Sequence, residues 1–311
     1  MRKIRILIAG IGGVGGYFGA LLANHFQDSN EVEIIFYARG KHLKEIQANG
    51  LNISKGDKEF IAIPKIATDN PQEIGIVDFI ILCTKSYDIE TTINQLKVCI
   101  NNGTIILPLL NGVDSKERIK SILPNNIILD GCVYIVSRLT GFGKVENFGN
   151  IETLYFGIDN IENEKLNLLE QLFKQANINA TVSKNISSIV WEKYIFIAPT
   201  ATSTTYFDNS IGEILEDNEK QKILVELIEE AKKIAKAKKI IISNDITILT
   251  LNKLKNLPFE TTSSMHSDFK TKKQNTELKS LTEYVVIEGK KNKILTPTFE
   301  RLLKGIEKNV S

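Results

Sequence analysis

A glycine-rich turn close to the start of the chain narrows the choice of fold more than any other feature. The apolar run Ile4–Ala9 reads as a buried strand and Val14–His25 as a helix, and between them Gly10-Ile11-Gly12-Gly13-Val14-Gly15 fits the pattern G-x-G-x-x-G. Each glycine has a physical task. Gly10 permits a tight turn, Gly12 lets backbone approach a phosphate with no Cβ in the way, and Gly15 lets helix and strand pack closely. The helix N-terminus then presents free N–H groups and the positive end of its dipole. Flexible glycine loops can mimic the pattern, so context decides, and here a strand precedes it and a helix follows. Gly10, Ile11, Gly12, Gly13, Val14 and Gly15 are therefore candidate contacts for a dinucleotide.

The context extends along the first half of the chain. Val32–Tyr37, Phe79–Cys83, Thr104–Leu107 and Ile127–Leu129 read as strands, with helices over His42–Asn49, Ile89–Cys99 and Ser115–Ser121 and a small hairpin from Leu51–Ile53 and Phe60–Ile63. Strands alternating with helices predict a parallel sheet covered on both faces. From Cys132 to Phe156 glycines alternate with aromatics, which suggests antiparallel strands finishing that sheet; a helix over Glu162–Gln175 and a strand at Asn179–Val182 follow. From Asn185 onward almost only the helical period remains, as in Glu219–Lys236, where Leu224, Leu227, Ile228, Ala231, Ile234 and Ala235 share a face. The expected fold class is thus α/β: a Rossmann-type doubly wound sheet over 1–184 and an all-α domain over 185–311, joined near Ser183–Ile186. A chain of 311 residues, 42% hydrophobic and 24% charged, can bury two cores of this kind.

Composition excludes several function classes. A net charge of +2 gives no strong field toward nucleic acid or an anionic membrane. No stretch approaches the roughly 18 uninterrupted apolar residues of a spanning helix. The start, Met1-Arg2-Lys3, is basic, but the apolar run after it breaks at Gly10, too early for a secretory leader. Three irregularly spaced cysteines, Cys83, Cys99 and Cys132, suit a reducing cytoplasm. With His25, His42 and His266 as the only histidines, no metal site is expected.

The end of the second strand bears on the choice of cofactor. An NAD site usually places Asp or Glu there for the ribose 2′-hydroxyl; here the strand runs into Ala38-Arg39-Gly40-Lys41-His42. Arg39 can fork onto a 2′-phosphate and Lys41 or His42 can add charge, so NADPH/NADP is the expected cofactor; a solvated basic turn is the alternative. Lys85 follows the strand Phe79–Cys83 at the sheet edge where ligands of such folds sit, and is either a cofactor contact or a surface lysine. Asn111, in Asn111-Gly112 after another strand, is either a turn residue or a hydrogen-bonding group for nicotinamide or substrate. Trp191-Glu192-Lys193-Tyr194 starts a helix whose continuation is mostly apolar, so Lys193 needs a partner or snorkels to water. At helical spacing Lys193, Ile197, Thr200 and Thr204 share one side. Ser263 or Ser264 opens another helix as its cap, and Asn275-Thr276-Glu277 opens the next, with an acid favoured in that first turn.

Taken in order, the glycine turn, the basic end of strand two, Asn111-Gly112, Trp191-Glu192-Lys193, Ser263-Ser264-Met265 and Thr276-Glu277 resemble the ketopantoate reductase family (2-dehydropantoate 2-reductase) over nearly the whole chain. The resemblance implies NADPH-dependent reduction of a 2-oxo acid to a 2-hydroxy acid in pantothenate synthesis. It implies Lys193 as the general acid, Glu277 as the acid near lysine, substrate and cofactor, Ser264 on the substrate carboxylate, and Asn111 shared by substrate and nicotinamide. Two positions depart from the family pattern: Ile197, one turn after the lysine, and Ile211, before Gly212-Glu213, both stand where Asn is usual. One more residue than usual also separates Asp268 from Glu277. Thr200 and Thr204 are candidate replacement hydroxyls for substrate binding. The expected partner is a small 2-oxo acid, with a homodimer as the candidate assembly. Two alternatives stay open: a reductase of another branched 2-oxo acid, and a non-catalytic NADP(H)-binding sensor.

Overall fold

The computed structural model describes residues 3–308, so Met1 and Arg2 of the basic start, and residues 309–311, lie outside it. The strands, in chain order, are β1 (Ile4–Ala9), β2 (Val32–Tyr37), β3 (Leu51–Lys55), β4 (Lys58–Ala62), β5 (Ile66–Thr68), β6 (Phe79–Leu82), β7 (Ile105–Pro108), β8 (Ile127–Ile128), β9 (Asp130–Tyr134), β10 (Ser137–Gly141), β11 (Lys144–Asn147), β12 (Thr153–Gly157) and β13 (Asn179–Val182). Six of them form an all-parallel sheet in the order β5-β2-β1-β6-β7-β8. Winding outward in both directions from β1 makes this a doubly wound sheet whose switch point lies between β1 and β6.

The largely apolar central strands explain the two-sided cover. Ile6, Ile8, Ile34, Phe36, Phe79, Ile81, Ile105 and Leu107 point into one core, shared with Phe18 and Leu22 of the helix Gly13–His25 and with Leu169 and Phe173 of the helix Glu164–Gln175. Their alternate neighbours Leu7, Ala9, Ile35, Tyr37, Ile80, Leu82 and Ile106 point into a second core, closed by Ile89 and Ile93 of Ile89–Leu96 and by Ile119 of Ser115–Ile122. A strand period of two thus feeds two cores at once.

The segment after Cys132 does not finish this sheet. β11 pairs in parallel with β3, giving a four-stranded sheet β10-β11-β3-β4, and β12 lies between β9 and β13 in a three-stranded sheet. The hairpin β3–β4 offers a free edge that β11 takes, whereas β8 is only two residues long. The three-residue β5 had no apolar run to announce it.

By its contacts the chain forms two compact units, which divide between Ile186 and Ser187; the short segment Asn111–Asp114 belongs with the second unit. That unit is helical: Ile186–Phe207, Ile211–Glu216, Asn218–Ala237, Ile246–Lys255, Ser264–Lys270, Tyr284–Lys291 and Pro297–Lys308. Leu224, Leu227, Ile228, Ala231, Ile234 and Ala235 are fully buried along one face of Asn218–Ala237, as their spacing predicts. The buried carboxylate of Glu230 accepts from the N–H groups of Thr298 and Phe299 at 2.8 and 2.9 Å, filling the open end of the last helix. Among the described residues no helix is long and apolar enough to cross a membrane.

Candidate active site

The glycine turn starts where β1 stops. Gly10 has φ +95°, and a Cβ there would lie 2.8–2.9 Å from the backbone of Cys83 and Thr84, so only glycine fits both the torsion and the space. At Gly13 a Cβ would come within 2.2 Å of the Ser137 carbonyl, so β10 is pressed against the start of the helix. Gly12, by contrast, faces open space. It is the N-cap of Gly13–His25, has no side chain to cap the helix, and is followed by a first turn without an acid. Neither a capping side chain nor a first-turn acid competes for that end of the dipole, and these features fit a pyrophosphate.

Beside the turn, Gly10 N–H donates to the Tyr37 carbonyl at the end of β2, and Cys83 N–H to the Ala9 carbonyl. Arg39 and Lys85 thus leave the ends of the two strands that flank β1. Arg39 is 63% exposed and reaches Asp88 at 3.0 Å; that acid lies on the turn after β6, a pairing that nothing local to either residue signals. Lys85 is half-buried at the start of the short 3-10 turn Ser86–Asp88. His42 does not join the positive patch. It is buried, its Nδ1 accepts from Gly143 N–H at 2.9 Å, and burial pushes its pKa below the usual imidazole range. Its ring is therefore neutral near pH 7, which overturns the expectation that it adds charge.

The catalytic candidates lie in the helical unit. Lys193 does not start a helix: it sits about two turns inside Ile186–Phe207, half-buried. Its Nζ donates to Asn111 Oδ1 at 3.3 Å, which gives Asn111 a partner beyond its own turn. Tyr194, the next residue, is buried and its hydroxyl donates to the carbonyls of both Ser280 and Leu281, at 3.0 and 3.1 Å. Those carbonyls belong to a π-helical stretch, Lys279–Glu283, whose wider turn alters the usual backbone pairing. Burial raises the Tyr194 phenol well above its ordinary pKa and keeps it a donor. Ser280 Oγ donates to Asp114 at 3.1 Å, and the hydroxyls of Thr202 and Thr282 meet at 2.8 Å. The lysine helix, the Asn111–Asp114 segment and the π-helical stretch are thus fastened to one another. Glu277 is buried at the mouth of that π-helical stretch, one residue before Leu278, and its carbonyl accepts from Leu281 N–H at 3.0 Å.

Removing the Tyr194 hydroxyl takes away the phenol hydrogen bond shared by the Ser280 and Leu281 carbonyls while the ring still packs. Tyr194→Phe is expected to cost about 1–3 kcal/mol, read as a lower urea midpoint with an unchanged slope. An unchanged midpoint would show that the hydroxyl does not hold the π-helical stretch.

The hydroxyls on the lysine side of the helix turn inward. Thr200 Oγ1 donates to the Phe196 carbonyl at 2.6 Å and Thr204 Oγ1 to the Thr200 carbonyl at 2.8 Å. Thr204 has no exposed surface, and its hydroxyl meets Ser263 Oγ at 2.9 Å, so it supports that serine instead of offering itself to a ligand. Ser263 caps Ser264–Lys270 by accepting from His266 N–H, which leaves Ser264 exposed at the first helical position. Ile211 belongs to the buried core, whereas Ile197 is only half-buried, one turn past Lys193. His266, which reaches Asp208 at 2.6 Å, carried no recognisable signal in the sequence.

Family models match both parts of the chain: Ketopantoate reductase PanE/ApbA over residues 6–160 and Ketopantoate reductase PanE/ApbA C terminal over residues 185–308. A crystal structure of 2-dehydropantoate 2-reductase from Porphyromonas gingivalis W83 is 34% identical with a TM-score of 0.85, over 97% of this chain and 99% of that one. The uncharacterized oxidoreductase YkpB of Bacillus subtilis is 30% identical over 215 residues, 68% of each chain. A ternary structure of D-mandelate dehydrogenase with NADH and anilino(oxo)acetate shares the fold, at 24% identity and TM-score 0.85, over 99% of this chain and 98% of that one.

Proposed function

The chain belongs to the ketopantoate reductase family of NAD(P)H-dependent oxidoreductases, and from that premise we propose that it reduces 2-dehydropantoate to pantoate with NADPH, in the cytoplasm, on the route to pantothenate. The observation that carries this reading is the half-buried Lys193 ammonium hydrogen-bonded to Asn111. A ligand-binding cluster needs no such lysine, which is why a non-catalytic sensor is the weaker reading.

NADPH supplies the hydride that reaches the carbonyl carbon. The Lys193 ammonium donates a proton to the carbonyl oxygen as negative charge develops there, so one 2-oxo acid, one hydride and one proton give one 2-hydroxy acid. Asn111 Oδ1 orients that ammonium. Ser264 binds the substrate carboxylate, and Glu277 sets the charge around the lysine. Gly12 and the N–H groups beyond it hold the pyrophosphate, and Arg39 takes the 2′-phosphate in place of Asp88.

A second reading has its own observation. Ile197 presents an apolar side chain one turn from Lys193, which suits another branched 2-oxo acid whose substituent bears no hydroxyl. A panel of 2-oxo acids with NADPH and NADH, followed by absorbance of the reduced nicotinamide, separates the readings. 2-Dehydropantoate is expected to give the highest kcat/KM. A higher value for a purely aliphatic branched acid favours the second reading, and no turnover with any acid despite NADPH binding favours the sensor.

A further inference from the structure

We propose that His42 is a positioning residue for the dinucleotide, a neutral imidazole that ties the β10–β11 turn to the glycine turn and directs its Nε2–H toward the Ile11 carbonyl. This rests on the reading that the glycine turn holds a nicotinamide dinucleotide.

The tautomer follows from one contact. Gly143 N–H donates to Nδ1 at 2.9 Å, so Nδ1 carries no proton. A neutral imidazole then bears its proton on Nε2. That nitrogen is buried and has no hydrogen-bond partner, while the Ile11 backbone in the glycine turn lies beside the ring. A buried donor left in this state costs free energy unless a partner completes it. The imidazole is nine-tenths or more buried, so solvent cannot readily serve.

The hairpin that His42 holds is the same one that backs the glycine turn. The Ser137 carbonyl on β10 lies where a Gly13 Cβ would be, and the Val145 side chain on β11 lies 2.8 Å from where a Gly16 Cβ would be. At the hairpin's tip Gly143 adopts φ +68° with the Glu45 side chain pressed against it, and Lys41 Nζ lies 5.9 Å from the Phe142 ring centroid. His42 follows Arg39 by three residues, in the first turn of the helix Gly40–Asn49. One imidazole therefore links the strand end that carries Arg39, the hairpin, and the glycine turn that would hold a pyrophosphate. A dinucleotide seated on the glycine turn would fix the Ile11 carbonyl where the buried Nε2–H can donate to it.

Two conservative variants separate the two ends of the ring. His42→Asn can place its Oδ1 acceptor near the Nδ1 position but has no group reaching the Nε2 position; His42→Gln can place its N–H donor near the Nε2 position but has no acceptor at the Nδ1 position. NADPH dissociation constants from nicotinamide fluorescence are measured beside thermal unfolding for the wild type, both variants and His42→Ala. His42→Asn is expected to unfold close to the wild-type temperature yet bind NADPH about tenfold more weakly, with kcat at saturating NADPH little changed. His42→Gln is expected to be less stable than His42→Asn but to recover affinity to within about threefold of wild type. The proposal is overturned if His42→Asn binds as tightly as wild type, or if loss of affinity simply tracks loss of stability across the three variants. A wild type that binds neither NADPH nor NADH overturns the functional reading and this inference together; tight wild-type binding with an unaffected His42→Asn overturns this inference alone.

Discussion

Replacing Lys193 with alanine is expected to lower kcat by a factor on the order of 10²–10⁴ while leaving the dissociation constant for NADPH within a few fold of wild type. The size follows from losing the proton donor in the step where charge develops on the carbonyl oxygen. The selectivity follows from the architecture: the glycine turn and Arg39 belong to the first unit, and Lys193, Asn111 and Glu277 to the second. Lys193→Arg is expected to restore little, because a guanidinium does not release its proton in this pH range and its planar fork differs from a compact ammonium. Single-turnover reduction with the cofactor prebound isolates the chemical step. A kcat for Lys193→Ala near wild type removes the ammonium from the mechanism, whatever the steady-state KM does.

Arg39→Ala is expected to reduce kcat/KM for NADPH about 10- to 100-fold and to leave kcat/KM for NADH nearly unchanged, as suits loss of a charge-assisted contact worth about 1.5–3 kcal/mol. In the structure the guanidinium pairs with Asp88 at 3.0 Å, but with Arg39 63% exposed that pair is worth little and gives way readily to a dianionic phosphate. Measuring both cofactors is the essential control. An equal loss with NADH would mean that Arg39 shapes the turn generally, and equal wild-type efficiency with both cofactors would mean that no 2′-phosphate is read there.

The parts of the fold that were legible in the sequence are those where local pattern and burial coincide. β6 and β7 are apolar throughout, and β1 and β2 are so after Arg5 and Glu33, because both faces are covered there, and the helix Asn218–Ala237 shows one buried stripe because only one face is. Illegible parts depend on pairing between distant segments. Nothing in Lys144–Asn147 says that it will lie parallel to Leu51–Lys55, and nothing near Thr276 announces a π-helical stretch. The site divides in the same way. Lys193 stood out because a charge inside an apolar run needs a reason. His42 read as one more basic residue because its meaning comes from Gly143, 101 positions away. Spacing sets Thr200 and Thr204 on the helix side of Lys193, but it does not reveal that their hydroxyls turn onto backbone carbonyls.

The membership of Asn111–Asp114 in the helical unit limits how the chain can be taken apart. A fragment beginning at Ser187 carries Lys193, Tyr194, Ser280 and Glu277 but omits Asn111, which accepts from the lysine, and Asp114, which accepts from Ser280. Its complement keeps Asn111–Asp114 as an orphaned loop. Chimeras that exchange halves between relatives at the obvious junction therefore mix two lineages inside one lysine environment, unless this tetrapeptide travels with the C-terminal part.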